Sequence, residues 1–436
     1  MHVNGLRRYT NVSWKGCTVT SCVVRAARDQ KRSGYPGRSV KPVKTDTCFH
    51  ASKVGVCGTI FVLLLQPISF IAITDLSRMS DVLSAARQWG NQFARSLPQS
   101  LKFQRHDSVY TRHRATCETV DHVTFHDLGV SEEGRPLYGV VAGDGPLRIS
   151  CIAGNHADEP VGPETLRHLV DRLLDTPPQS DWTAGVQWVI VPHTNPDGEA
   201  RNRPWINAWP DLPTYLRTRV RELPGRDMEF GFPDLRAENE VVSHFLADQG
   251  PFDAHLSAHG MGVAAGTLLL IHPHWGYRTD ALQTLYRKES DAAGLPPHDH
   301  NRQGEKGFFW IGPGFATTPS GTGMRAYFNA QNDPEMASRF LDSSMEFVDR
   351  LGGSPLSVVT EVPLFVIDSD TPIGGPPPQY AAFKEALPRI QHELKEHETS
   401  DTLRDFSIRP LPLNTAMRLH SMVLGGMVAT CRAVSD

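Results

Sequence analysis

Cysteine is scarce in this chain, and its distribution is uneven. Of seven cysteines in 436 residues, Cys17, Cys22, Cys48 and Cys57 lie near the N-terminus, leaving Cys117, Cys151 and Cys431 for the rest. Three scattered thiols cannot form a disulfide framework, so a reduced compartment, the cytoplasm, is the expected setting. Long apolar runs are also rare: Val54–Thr74 (VGVCGTIFVLLLQPISFIAIT) is a stretch of 21 uncharged residues, long enough to span a bilayer. The formal net charge of −4 gives no case for nucleic-acid binding. No Gly-x-Ser-x-Gly follows a strand-like run, which disfavours a serine hydrolase. No internal repeat is visible.

The charge that is present is segregated. Residues 1–53 carry eleven Lys or Arg against Asp29 and Asp46, a net of +9, so the rest must carry −13 to reach −4. Residues 1–78 show no sustained amphipathic period, and Met79 begins a stretch that reads as an ordinary protein start. The leading segment is expected to be an extension outside the fold. Its alternatives are a membrane anchor through 54–74, with the basic flank inside, or a targeting peptide. The expected organisation is an extension over 1–78, a catalytic domain over 79–385, and a helical tail over 386–436 packing on that domain.

From Met79 on, strand-like and helix-like segments alternate, which predicts an α/β domain. Its sheet should be mixed, mostly parallel and twisted, with helices on both faces. The apolar runs 147–153, 186–191, 252–258, 267–271 and 356–360 read as strands. A helix is expected from about Pro163 and another over 236–247. The 33 prolines and 36 glycines point to a loop-rich chain, with long loops over 199–235 and 296–323. Loops of that length inside a compact domain are usually functional.

The chemistry-bearing residues fall at the ends of these strands. His156 and Glu159 follow the first, His259 ends the third, and Glu361 ends the fifth. Ligands of open α/β sheets bind at the carboxyl ends of strands. Two His and one Glu are a common protein ligand set for one catalytic zinc ion, with the fourth position open. A further carboxylate outside the ligand set can take a proton from water, and Glu361 is the candidate. His255 rivals His259. Residues 255 and 259 share one strand face with roughly 13 Å between them, at about 3.3 Å per residue, so both cannot reach one ion. His272 with His274, and His298 with His300, form two further His-x-His pairs, read as solvated loop histidines.

Four stretches in order carry a family resemblance. SEEGRPLYGVVAGDGPLRISCIAGNHADEPVGPETL (131–166), VIVPHTNPDG (189–198), LSAHG (256–260) and VVTEVP (358–363) resemble the zinc carboxypeptidases of the M14 type, over about residues 125–370. The resemblance implies His156, Glu159 and His259 as zinc ligands, favouring His259 over His255, and Glu361 as general base. It implies hydrolysis of a peptide or small amide substrate. The carboxylate clamp of that family departs from its pattern here. Trp205 of Asn202-Arg203-Pro204-Trp205 is followed by Ile206, where the family places an Arg. Asp227-Met228-Glu229-Phe230 has Glu and Phe where an Asn-Arg pair is expected, and Thr317 stands in the place of a tyrosine. Arg201, Arg203 or Arg325 could substitute, with Arg203 and its neighbour Asn202 the expected substrate-binding residues. Glu229 would favour a cationic substrate group. The alternatives are a zinc amidase or deacylase acting on a small or cell-wall-type substrate, and a non-catalytic binding protein on the same scaffold.

Overall fold

The structure, a computed structural model, describes residues 59–435 apart from 178, 179, 181, 299 and 300. The expectations placed on residues 1–58, and on the side chains of 59–77 with the span 54–74, lie outside the described residues. Residues from Leu63 onward form one compact unit. Among the described residues no helix is long and apolar enough to cross a membrane.

Helices α1 (Thr59–Ser96) and α2 (His106–Cys117) precede strands β1 (Val123–Val130), β2 (Pro136–Ala142) and β3 (Leu147–Ala153). Then come α3 (Val161–Leu174), β4 (Val186–Val191), α4 (Pro196–Asn207), α5 (Leu212–Thr218), α6 (Ala237–Gln249) and β5 (Phe252–Ala264). Strand β6 (Leu268–Ile271), α7 (Asp280–Ala292), β7 (Trp310–Gly312), β8 (Phe315–Thr317) and α8 (Gly321–Ala330) follow. The chain closes with α9 (Pro334–Ala337), α10 (Ser344–Arg350), β9 (Gly353–Ile367), α11 (Pro378–His397), β10 (Ile408–Pro410) and α12 (Leu413–Ser435).

Among the described residues one 10-stranded sheet runs β1-β2-β4-β3-β5-β9-β6-β8-β7, with β10 beside β9. Its centre, β4-β3-β5-β9, is parallel, and antiparallel pairs flank it. The fold is therefore the expected mixed, mostly parallel α/β arrangement. The near-continuous apolar runs of β3 and β4 follow from burial on both faces. Trp188 and Ile190 of β4 enter the core containing α3 and α12, while Val189 and Val191 enter the one with Val242, Phe245 and Leu246 of α6. Helices thus cover both faces.

Several boundaries differ from the sequence expectation. The breaks at 78/79 and 385/386 fall inside α1 and α11, and the C-terminal stretch is part of the main core: Met417, Val423, Leu424 and Met427 of α12 are fully buried in it. The expected loop 199–235 contains most of α4 and all of α5. The Asn-Pro-Asp-Gly turn is the start of α4: Asn195 caps it by accepting from the Gly198 N–H, with Pro196 in the first turn. Proline at that position costs no hydrogen bond, so the loop-like composition concealed a helix. Strands β5 and β9 are longer than expected and stay paired to Ala264 and Val366. Strand β3, in contrast, stops at Ala153, opposite Ala258. His259 is thus the first residue of β5 beyond the end of β3.

Candidate metal centre and active site

Local sequence brings the end of β3 and the start of α3 together. Gly154 has φ +86, and a Cβ there would meet the His193 ring at 2.5 Å, so glycine permits both the turn and the close approach. Seven residues later Val161 starts α3, whose Leu166, Leu169, Val170 and Leu173 face the core at helical spacing. Gly162 lets the first turn of α3 press on β5: a Cβ there would stand 2.2 Å from the Ala258 carbonyl oxygen. The loop carrying His156 and Glu159 is thereby held against His259.

These three side chains converge. Glu159 Oε1 lies 2.9 Å from His156 Nδ1, and its Oε2 lies 2.8 Å from His259 Nδ1. The two Nδ1 atoms are 2.9 Å apart, and one ligand atom from each of the three residues lies within 4.8 Å of the others. At most one proton can occupy the line between two facing imidazole nitrogens. The natural occupant of such a convergence is a cation accepting all three lone pairs. Two nitrogens and one carboxylate oxygen suit zinc, at about 2.0–2.2 Å from each donor.

A second layer orients the rings. His259 Nε2 lies 2.8 Å from Glu229 Oε2, and His156 Nε2 lies 3.4 Å from Asp227 Oδ2. A carboxylate on the far nitrogen fixes the tautomer and turns the other lone pair inward. Glu229 also accepts from Asn155 Nδ2 (2.5 Å), Ser257 Oγ (2.9 Å), and the Ser344 N–H and Oγ (3.0 and 2.7 Å). Burial would raise its pKa, but hydrogen bonds from His259, Ser344 and Asn155, with the His259 charge, bring it down to about 2. Glu229 is therefore committed to His259, which corrects the expectation that it would favour a cationic substrate group. His255, the rival ligand, is buried between Ser150 Oγ (2.8 Å) and Ser344 Oγ (3.4 Å) and does not join the cluster.

Glu361 is the register partner of His259 between the parallel strands β5 and β9. Register partners present their side chains on one face of the sheet, so Glu361 stands beside the cluster. It makes no hydrogen bond or ion pair with any described residue. Burial, and next the Glu159 charge, push its pKa up to about 7.

The cluster lies in a cavity of about 540 Å³ that Glu361 also lines. Asn202 and Arg203 do not line it. Asn202 is buried, donating to the Ala157, Gly198 and Val220 carbonyls and accepting from Trp205 Nε1 and the Val220 N–H. Arg203 pairs with Glu199 and the Gln104 carbonyl. Both are spent on holding α4, so the expected substrate contacts are corrected. Arg201 and Arg325 likewise lie outside the cavity lining. The cavity's cations are instead Arg219, Arg221, Arg302, Lys306 and Lys384. Arg221 Nη1 reaches Glu159 Oε1 (2.7 Å) and Asp158 Oδ1 (3.0 Å). The Arg219-Val220-Arg221 spacing, just before Asp227, was the available signal: in extended chain, alternate residues share a side.

Comparison with known proteins bears on this site. Residues 114–256 match the family model of the zinc carboxypeptidases. The chain is similar to that family. Carboxypeptidase M of Mus musculus is 30% identical over 129 residues, 27% of this chain and 27% of its own length. The match thus spans about a quarter of that curated relative. Carboxypeptidase A from Helicoverpa armigera is 12% identical at a TM-score of 0.44, over 83% of this chain and 82% of its own. Bovine thrombin-activatable fibrinolysis inhibitor, solved with tick carboxypeptidase inhibitor, is 12% identical at 0.41, over 77% of this chain and 98% of its own. The family match supports a metallopeptidase-like hydrolase.

Proposed function

We propose that this protein is a zinc-dependent hydrolase of peptide or amide bonds, with His156, Glu159 and His259 as ligands to one ion and Glu361 as general base. The observation that carries this reading is a pairing of two features. Three lone-pair donors converge within 4.8 Å, and on the adjacent strand, at the register position of His259, stands a carboxylate without a partner among the described residues.

When bound, zinc supplies Lewis-acid polarisation of the scissile carbonyl and lowers the pKa of water. Asp227 and Glu229 face the outer nitrogens of His156 and His259, which turns the inner nitrogens toward the position the ion would take. Glu361 accepts a proton from the attacking water at a carboxylate oxygen and later gives it to the leaving nitrogen. A C–O bond forms and the C–N bond breaks, so one water molecule is consumed and an acid and an amine leave. Arg221, on the cavity wall beside Glu159, offers N–H donors to the charge developing on the carbonyl oxygen.

The test is Glu361→Gln measured beside His156→Ala, on free and C-terminally blocked peptides, with zinc content determined by elemental analysis. Glu361→Gln should keep one zinc per chain and lose about 10²-fold or more in kcat, while His156→Ala should lose the metal. Near-wild-type turnover by Glu361→Gln on a substrate the parent cleaves would refute the assignment.

A further inference from the structure

The central strand β5 buries polar side chains on one face. Ala254, Leu256 and Ala258 point into the main apolar core, and His255, Ser257 and His259 alternate with them on the other face, all buried. A buried polar group costs free energy unless it is hydrogen-bonded, and an apolar residue at 255 would serve packing without that cost. His259 belongs to the converging donors, and Ser257 donates to Glu229. His255 touches neither the converging donors nor the cavity. Its side-chain partners are Ser150 and Ser344.

The hydrogen bonds around His255 run in one direction. Ser344, the first residue of α10, presents its N–H (3.0 Å) and its hydroxyl (2.7 Å) to Glu229 Oε1. A backbone N–H can only donate, and Asn155 Nδ2 donates to the other oxygen, so Glu229 meets these groups as an acceptor. The single Ser344 hydroxyl proton is thus committed to Glu229, and Ser344 Oγ can only accept from His255 Nε2, 3.4 Å away. Burial lowers the His255 pKa to about 4, which leaves one proton on the neutral ring, and that proton belongs on Nε2. The other nitrogen, Nδ1, then accepts. Ser150, the register partner of His255 on β3, donates to it from Oγ over 2.8 Å. From Ser150 through His255 and Ser344 every donor points toward Glu229, whose Oε2 faces His259 Nε2 (2.8 Å).

We propose that His255 is a positioning residue for the metal site: held by Ser150, it fixes the Ser344 hydroxyl on Glu229 and so keeps Glu229 turned to His259. This rests on the proposed hydrolase reading and adds to it a residue of the ligand's own strand. Hydrogen bonds running one way along a chain polarise one another. The acceptor that His259 meets therefore depends on a ring with no contact to the cluster. Such an outer acceptor sets the orientation and basicity of a ligating imidazole.

The experiment measures zinc affinity of the full chain by competition with a chelator, together with the visible absorption of its cobalt(II) form, which reports ligand geometry. His255→Gln keeps an N–H donor near the position of Nε2, His255→Leu keeps the bulk without the donor, and Ser150→Ala removes the far end of the chain. His255→Leu should bind zinc about tenfold more weakly and shift the cobalt bands, and His255→Gln should recover most of both. Ser150→Ala should weaken zinc binding about threefold in the parent and have no effect in His255→Leu, where the chain is already broken. If affinity follows bulk, with His255→Leu equal to the parent, or if Ser150→Ala acts equally in both backgrounds, His255 is a packing residue and the inference is overturned. Should His255→Leu fail to fold, Ser150→Ala alone decides: an unchanged affinity with an unshifted cobalt spectrum overturns the inference. A parent that binds neither metal overturns the hydrolase reading and the inference with it. Bound metal with affinities indifferent to these variants overturns the inference alone.

Discussion

Replacing Glu229 by Gln should weaken zinc binding although Glu229 is not among the three converging donors. The substitution conserves volume, so cavity formation does not enter. What changes is the pattern of donors and acceptors. Around Oε1 stand the Ser344 N–H and hydroxyl, and around Oε2 stand Asn155 Nδ2, Ser257 Oγ and His259 Nε2. The serine hydroxyls can turn to accept, but a backbone N–H and an amide NH₂ cannot. Whichever way a Gln amide is placed, its NH₂ meets a group that only donates. One buried donor is left unsatisfied, at about 1–3 kcal/mol. If the amide oxygen keeps Ser344, the His259 ring also loses its acceptor and its fixed tautomer. Loss of such an outer partner typically lowers metal affinity about 10- to 100-fold. The assay is competition for zinc against a chelator of known affinity, with thermal melts of the metal-free and loaded protein. An unchanged zinc affinity in a folded Glu229→Gln protein would refute the reasoning, and Glu229 would then be only a packing group.

Three further outcomes are expected. Gly162→Ala should lower Tm and zinc affinity together, since its Cβ would stand 2.2 Å from the Ala258 carbonyl oxygen and overpacking against backbone costs about 1–3 kcal/mol; a melt identical to the parent would count against that contact. Burial would raise the Glu199 pKa, yet Arg167, His193 and Arg203 together hold it well below the usual 4.5. Its stabilisation is therefore present above that unfolded value and lost as pH falls towards the folded one. Glu199→Gln should cost about 3 kcal/mol at pH 7 by leaving the buried Arg167 with only the more distant Glu164 carboxylate (3.6 Å) as counter-charge. In urea melts the gap to the parent should narrow below pH 4.5, and a pH-independent gap would refute the ion-pair account. Arg203→Ala should leave the KM of a cleaved peptide unchanged while lowering stability, and a raised KM would return Arg203 to the substrate.

The linear sequence carried the elements wherever a local pattern sufficed. The apolar runs 147–153 and 186–191 are β3 and β4 residue for residue, because a central parallel strand must be apolar on both faces. The His156–Glu159 spacing, His259 and Glu361 were legible for a related reason: each lies within or just beyond such a run. Local pattern failed where composition misled. Pro196, Gly198 and Pro204 read as loop, yet Asn195 caps a helix there.

Other features were settled by tertiary pairing alone. Glu361 stands beside His259 because β9 pairs with β5 in one particular register, which no window of sequence around either residue encodes. Glu229, unassigned by spacing, becomes the acceptor for His259 only when Asn155, Ser257 and Ser344 arrive from other elements. The sequence thus pointed to the three side chains that converge and to the α/β class. The folded chain decided which cations enter the cavity, exchanging Arg203 for Arg219, Arg221, Arg302 and Lys384. The physical reason is that periodicity reports how one element meets its own core face, whereas a cavity wall is the meeting of side chains whose separation along the chain carries no periodic signal.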